Sequence, residues 1–191
     1  VVSGVDLIEH GTISDADTIR DTAIAQPLLV GAGLVTLLAV FPHPAEAFSS
    51  VAVGAGHSVG EITAAAAAGV LSAEQAMVFV RERGRAMAQA AALTPTGMSA
   101  VLGGEADDVV AAAEALALTP ANINGAGQIV VAGELDALES FAAEPPEKAR
   151  VRPLQVAGAF HTRFMAPAVD VLAGYAKRSE EHTSELQSRF G

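Results

Sequence analysis

Apolar positions divide the chain into stretches of different period. Residues 1–11 are compatible with a short helix, and Ser14-Asp15-Ala16-Asp17 with a turn or helix start. From Pro27 to Phe41 nearly every position is apolar, which predicts a buried helix with Pro27 in its first turn. A Pro-rich connection, Phe41-Pro42-His43-Pro44, follows, then Ser50-Val51-Ala52-Val53, short and β-branched as a strand would be, and an alanine run to Ala68 with helical character. Ser72 followed by Gln75 is a capping box that starts a helix running to about Ala92. Beyond Gly97 the pattern alternates. Strands are predicted at Gly97 to Gly103, Ala121 to Ile123, Gln128 to Ala132 and Arg150 to Val156, with Asn124-Gly125 as a turn. Helices fill Glu105 to Ala117, where Ala106, Val109, Val110 and Ala113 share a face, and Leu135 to Ala143. A last helix runs from Arg163 to Ala176. The order of residues 95–156 is βαββαβ, that of a ferredoxin-like subdomain.

Between the strand at Ser50–Val53 and the alanine-rich helix lies Gly56-His57-Ser58-Val59-Gly60-Glu61. A Gly-x-Ser-x-Gly sequence between strand and helix is a nucleophile elbow. Gly56 and Gly60 remove side chains that would clash where strand and helix approach, and Ser58 takes a strained backbone conformation that lifts its hydroxyl clear. The amide of Val59 opens the helix and is placed to stabilise an oxyanion. The expected fold class is α/β, an α/β-hydrolase-like core with a parallel sheet and this elbow, and the ferredoxin-like subdomain inserted. The core comprises residues 1–94 and 157–177.

Composition narrows the chemistry. Eleven basic against 22 acidic residues argue against a nucleic-acid partner, and the absence of cysteine removes disulfides and thiolate metal sites. The five histidines have no metal-ligand spacing, so no metal is expected. The apolar run at Pro27–Phe41 is shorter than the ~20 residues of a membrane span, so no membrane partner is expected. From Arg178 onward the chain turns abruptly polar, resembles the translation of a sequencing-library adapter, and is expected to be non-native.

Two further side chains bear on a serine that attacks a carbonyl. Arg83 lies among Phe79, Val80, Ala86 and Met87 on its helix face. A guanidinium there is costly unless an anion meets it, either an Asp or Glu of the protein or a substrate carboxylate. Arg81 and Arg85 flank Glu82 and read as solvated charges. His161, in a loop of small residues after the last strand, is the histidine best placed to serve the serine as base. His57 points away from the hydroxyl of Ser58, and His10 and His43 have no supporting context.

Gly56 to Glu61, Arg83-Gly84, the inserted βαββαβ unit and Gly158-Ala159-Phe160-His161 together resemble the malonyl-CoA:acyl-carrier-protein transacylases of fatty acid synthesis. Ala25-Gln26-Pro27-Leu28 and residues 122–133 match as well. The resemblance implies Ser58 as nucleophile, His161 as its base, Arg83 as clamp for the malonyl carboxylate, and Gln26 and Asn122 as substrate-binding residues. Phe160 and Val59 accompany malonyl selection in that family. It implies malonyl-CoA as substrate with no bound cofactor, an acyl carrier protein as partner, a monomer and a cytoplasmic location. Lys148, Arg150 and Arg152, with Arg163 beside them in the reading, are the candidate carrier-docking cluster. A polyketide-synthase acyltransferase domain and a serine hydrolase are the competing readings. The family's amino-terminal Gly-Gln-Gly loop and its later strands have no counterpart in these 191 residues, so this polypeptide alone is expected to fold poorly and be weakly active.

Overall fold

The computed structural model describes residues 3–42 and 50–177. The expected non-native tail and the His43-Pro44 part of the Pro-rich connection lie outside them. Contacts divide the chain into two units, Val1–Arg85 with Leu172–Gly191, and Ala86–Val171.

The described residues of the first unit form helices and no strand. Short helices α1 (Leu7–Thr12) and α2 (Ala16–Ile19) are each capped by an aspartate, Asp6 and Asp15, whose carboxylates accept the unpaired amides of the first turn. Helix α3 spans Thr22–Val40 and is capped by Asp21, which accepts from the Ala23 amide at 2.8 Å. It begins earlier than the apolar run suggested, so Pro27 lies inside the helix and not in its first turn. The expectation of a buried helix is also corrected. Thr22, Gln26, Pro27 and Val30 are buried, while Leu29, Val35, Leu38 and Val40 are 52–69% exposed. By length and composition α3 could cross a membrane, the one such helix among the described residues. Helix α4 (Gly60–Ala67) follows the serine turn. Helix α5 (Ala73–Ala91) starts at the predicted capping box, with the Gln75 amide donating to Ser72 Oγ at 3.1 Å and the Ser72 amide donating to Gln75 Oε1 at 2.8 Å. Val30, Ile62, Ala76 and Val80 form the buried contact of α3, α4 and α5.

No strand forms at residues 50–53, which are irregular and exposed beyond position 50. A strand needs a ladder partner for its amides and carbonyls, and every strand among the described residues lies between Thr96 and Pro153.

The second unit holds one antiparallel sheet: β1 (Thr96–Gly103), β2 (Thr119–Ile123), β3 (Gln128–Glu134) and β4 (Ala149–Pro153), in the order β2-β3-β1-β4. β4 stops three residues before the predicted Val156, at Pro153, whose ring nitrogen has no hydrogen to donate. A register shift between Pro120 and Asn122 interrupts the β2–β3 ladder. Helices α6 (Ala106–Ala115) and α7 (Leu135–Ala143) cover one face, where Val101, Val109, Ala113, Val131 and Phe141 are fully buried. The opposite face buries Met98, Val130 and Ala132 against Ala159, with Phe160 and Phe164 alongside. A 3-10 turn at Arg163–Met165 leads into α8, residues 166–177. This is a mixed α/β fold with a small antiparallel sheet.

Candidate active site

The serine turn is built by close backbone packing. A Cβ added at Gly56 would lie 2.2 Å from the carbonyl carbon and oxygen of Gly60, so no side chain fits there. Gly60 itself faces open space, so the clearance assigned to both glycines is needed only at Gly56. Ser58 has φ +55°, a left-handed conformation that costs a non-glycine residue on the order of 1 kcal/mol and persists only where surrounding bonds hold it. Those bonds run from the amides of Gly60, Glu61 and Ile62 to the carbonyls of His57, Ser58 and Val59 at 3.0, 3.1 and 3.2 Å. The Val59 amide precedes the first of these donors at the mouth of α4.

Arg83 reaches this turn from α5. Its Nη2 donates to Ser58 Oγ at 3.2 Å, and its Nη1 makes a short hydrogen bond to Gln26 Oε1. Gln26 Nε2 in turn donates to Thr22 Oγ1 at 2.7 Å, and both of those residues are buried. Burial draws the Arg83 guanidinium below its ordinary pKa, and the charge of Glu61 works in the opposite direction. Arginine starts so high that it remains a cation. The partners of Arg83 are thus a carboxamide and a hydroxyl, with no ion pair among the described residues. An apolar groove of about 740 Å³ adjoins the turn, lined in part by Leu37, Phe41, Val51, Ala64 and His57.

Glu82, between the two arginines read as solvated charges, is drawn in: its side chain is 13% exposed and accepts from Arg81 Nε at 2.6 Å and from Tyr175 Oη at 3.1 Å. Burial pushes Glu82 up, but the bonds from Arg81 and Tyr175 and the charges of Arg81 and Arg85 outweigh it, and its carboxyl titrates below the ordinary range. Arg81 is correspondingly drawn in at 26% exposure, while Arg85, at 53%, is largely in solvent.

In the second unit the histidine loop is pinned on both sides. The Ala159 amide donates to buried Thr96 Oγ1 at 3.0 Å, and Thr162 Oγ1 donates to the Ala159 carbonyl at 2.6 Å while accepting the Phe164 amide. Between these anchors His161 has φ +61° and is exposed. Gly158 passes so close to α5 that a Cβ would sit 2.7 Å from that of Ala91. Phe160 packs against Met98 and Ala132 on one side and against the cluster of Met87, Ala90 and Met165 on the other. Asn122 lies half-buried at the β2 irregularity. Arg150 and Arg152 are exposed on β4, paired in register with Leu102 and Ala100. Lys148 contacts Glu147 at 3.6 Å, and the Arg163 guanidinium stands 5.0 Å over the Phe164 ring.

Ser58, Val59, Gln26 and Arg83 therefore gather in the first unit, and Asn122, Lys148, Arg150, Arg152, Phe160 and His161 belong to the second. Thr22 and Tyr175 were missed by sequence reasoning. Thr22 was recoverable only from its spacing of four residues before Gln26 on a helix. Among the described residues no group of three or more His, Asp or Glu side chains is placed to hold a metal.

The family described as "Acyl transferase domain" matches residues 10–189. A malonyl CoA-acyl carrier protein transacylase of Mycobacterium tuberculosis (strain ATCC 25618 / H37Rv) is 54% identical over 172 residues, covering 90% of this chain and 57% of that protein. The Bacillus subtilis protein of the same name is 35% identical over 165 residues, covering 83% and 51%. The crystal structure of MCAT from Mycobacterium tuberculosis superposes with a TM-score of 0.85 at 51% identity, over 92% of this chain and 58% of that one. A type II PKS acyl-carrier protein in complex with its malonyl-transacylase includes a chain matching with TM-score 0.77 at 30% identity, over 92% and 58%. The present chain thus spans a little over half the length of the relatives it matches.

Proposed function

Because the chain belongs to the acyl transferase domain family, we propose that it carries the nucleophile and the carboxylate clamp of a malonyl-CoA:acyl carrier protein transacylase. The observation that carries this reading is Arg83 Nη2 at 3.2 Å from Ser58 Oγ. It sets a permanent cation beside a hydroxyl in a strained turn, where the carboxylate of a malonyl thioester would meet the fork as its carbonyl meets the serine. Ser58 Oγ attacks the thioester carbonyl and passes its proton to His161. The Val59 amide stabilises the oxyanion, and coenzyme A leaves as a thiol with the proton from His161. The phosphopantetheine thiol of an acyl carrier protein then attacks the seryl ester, and Ser58 recovers its proton. Gln26 holds Arg83, Asn122 contributes to substrate binding, and Phe160 with Val59 excludes an α-methyl group. A single methyl supports about 10–200-fold discrimination.

The all-antiparallel β2-β3-β1-β4 order supports reading residues 95–156 as a ferredoxin-like subdomain. It would be inserted in an α/β-hydrolase-like core with a parallel sheet, residues 1–94 and 157–177. The carrier is proposed to dock on Lys148, Arg150 and Arg152, an exposed basic group on a chain of net charge −11. No cofactor is proposed, and the enzyme is read as a cytoplasmic monomer. A polyketide setting is the second reading, favoured by the match to the transacylase of a type II PKS carrier protein.

The test uses the full-length protein that contains this sequence and labelled malonyl-CoA. A malonyl ester should map to Ser58 and vanish in Ser58→Ala. Arg83→Ala should lose malonyl loading by about 10–100-fold, the worth of a charged hydrogen-bonded contact, while acetyl loading persists. Loss of both donors alike in Arg83→Ala, or loading untouched by it, would sink the clamp. Reversing the charges of Arg150 and Arg152 should slow transfer to the carrier and leave ester formation intact; an effect confined to ester formation would remove the docking proposal.

A further inference from the structure

Thr22 has no part in the chemistry above, yet it closes a line of donors and acceptors that ends on Ser58. Arg83 offers only N–H groups, so the Gln26 carboxamide can meet Nη1 only with its oxygen. Its nitrogen is thereby turned back along α3, where Thr22 Oγ1, four residues earlier and on the same helix face, accepts it at 2.7 Å. Thr22 is 7% and Gln26 4% exposed, so water does not readily substitute for either partner. The backbone keeps the helices in contact at this level. A Cβ at Gly84, next to Arg83, would lie 2.9 Å from the Thr22 carbonyl oxygen and 3.0 Å from Ala23 Cα.

We propose that Thr22 is a positioning residue for Arg83. Its hydroxyl holds the Gln26 carboxamide in the one orientation that anchors Nη1, which leaves Nη2 directed at Ser58. The consequence for substrate choice rests on the transacylase reading; the positioning itself does not. Without the hydroxyl, Gln26 Nε2 loses this acceptor inside the protein, the carboxamide is held less firmly in this orientation, and the guanidinium loses its fixed bearing.

The experiment compares Thr22→Val, which keeps the shape, with Thr22→Ser, which keeps the hydroxyl, in the full-length protein. Phenylglyoxal modification is followed by peptide mass spectrometry, with exposed Arg85 as internal reference. The Arg83 to Arg85 rate ratio should rise about fivefold in Thr22→Val and stay near wild type in Thr22→Ser, in line with the loss of one hydrogen bond. General loosening would also speed Arg81, which is only 26% exposed, whereas loss of the Gln26 anchor should speed Arg83 alone. Malonyl ester formation should fall by a similar factor in Thr22→Val alone, with acetyl ester formation unchanged. Equal ratios in the two variants would overturn the proposal. Should wild type take no malonyl while the ratio still follows the hydroxyl, the transacylase reading falls and the positioning role stands. If Thr22→Val does not fold, Thr22→Ala makes the same comparison with a better helix former.

Discussion

Helix α3 and the sheet of the second unit are both strongly apolar, and they fare differently. In the sheet, Val101 of β1 and Ile129 and Val131 of β3 meet the apolar stripes of α6 and α7, and Val101, Val109, Val131 and Phe141 vanish from solvent. In α3 the apolar residues run all round the helix. The stripe facing α4 and α5 finds cover, and α1 packs near Leu28 and Gly31, but Leu38 stays 52% exposed. Hydrophobicity states what a segment gains from a partner; the partner has to be present for the gain to be collected.

The largest effect that separates the two regions is a cavity in the covered one. Phe141→Ala should destabilise the second unit by about 3–5 kcal/mol, whereas Leu38→Ala on the open face of α3 should stay within about 0.5 kcal/mol. Thermal or denaturant melts of both variants check this. Equal losses would mean that α3 is covered in solution. A smaller effect belongs to the polar contact that ties α8 to α5. Tyr175→Phe removes one hydrogen bond to Glu82 and should cost about 1 kcal/mol. Since the folded-state pKa of Glu82 lies below its ordinary value, its contribution is present above that ordinary value and is lost as pH falls through the lowered one. The gap between wild type and Tyr175→Phe should therefore close as the pH falls through that range, and a gap independent of pH would show that Glu82 is not the group involved.

How much could be read from the residues alone follows the same division. The Ser72–Gln75 capping box, the Asn124-Gly125 turn and the bounds of Leu135–Ala143 depend on neighbours a few positions away, and they came out as spaced. The tight turn at the serine was legible because strain at Ser58 and closeness at Gly56 are local. Arg83 announced a need for polar company on an apolar stripe, but nothing near it in sequence names Gln26, 57 positions earlier, as that company. The strand expected at residues 50–53 failed to appear for the reason that α3 stays exposed. A ladder, like a core, is a property of two segments, and among the described residues the second is missing. Arg81 was misread as solvated because the Glu82 that draws it in is itself held by Tyr175, 93 residues beyond.

The margins of the sheet also decide what it can join. On one side β2 carries Pro120 and a break in register, and on the other β4 presents Arg150 and Arg152 and finishes on Pro153. Proline, irregularity and repeated positive charge are the means by which a sheet refuses an additional strand. The unit is in this sense self-terminating. Two copies that collide at these margins meet charge and kinks where a flat hydrogen-bonding template would be needed, so the arginines proposed to greet a carrier protein also guard the sheet against its own kind.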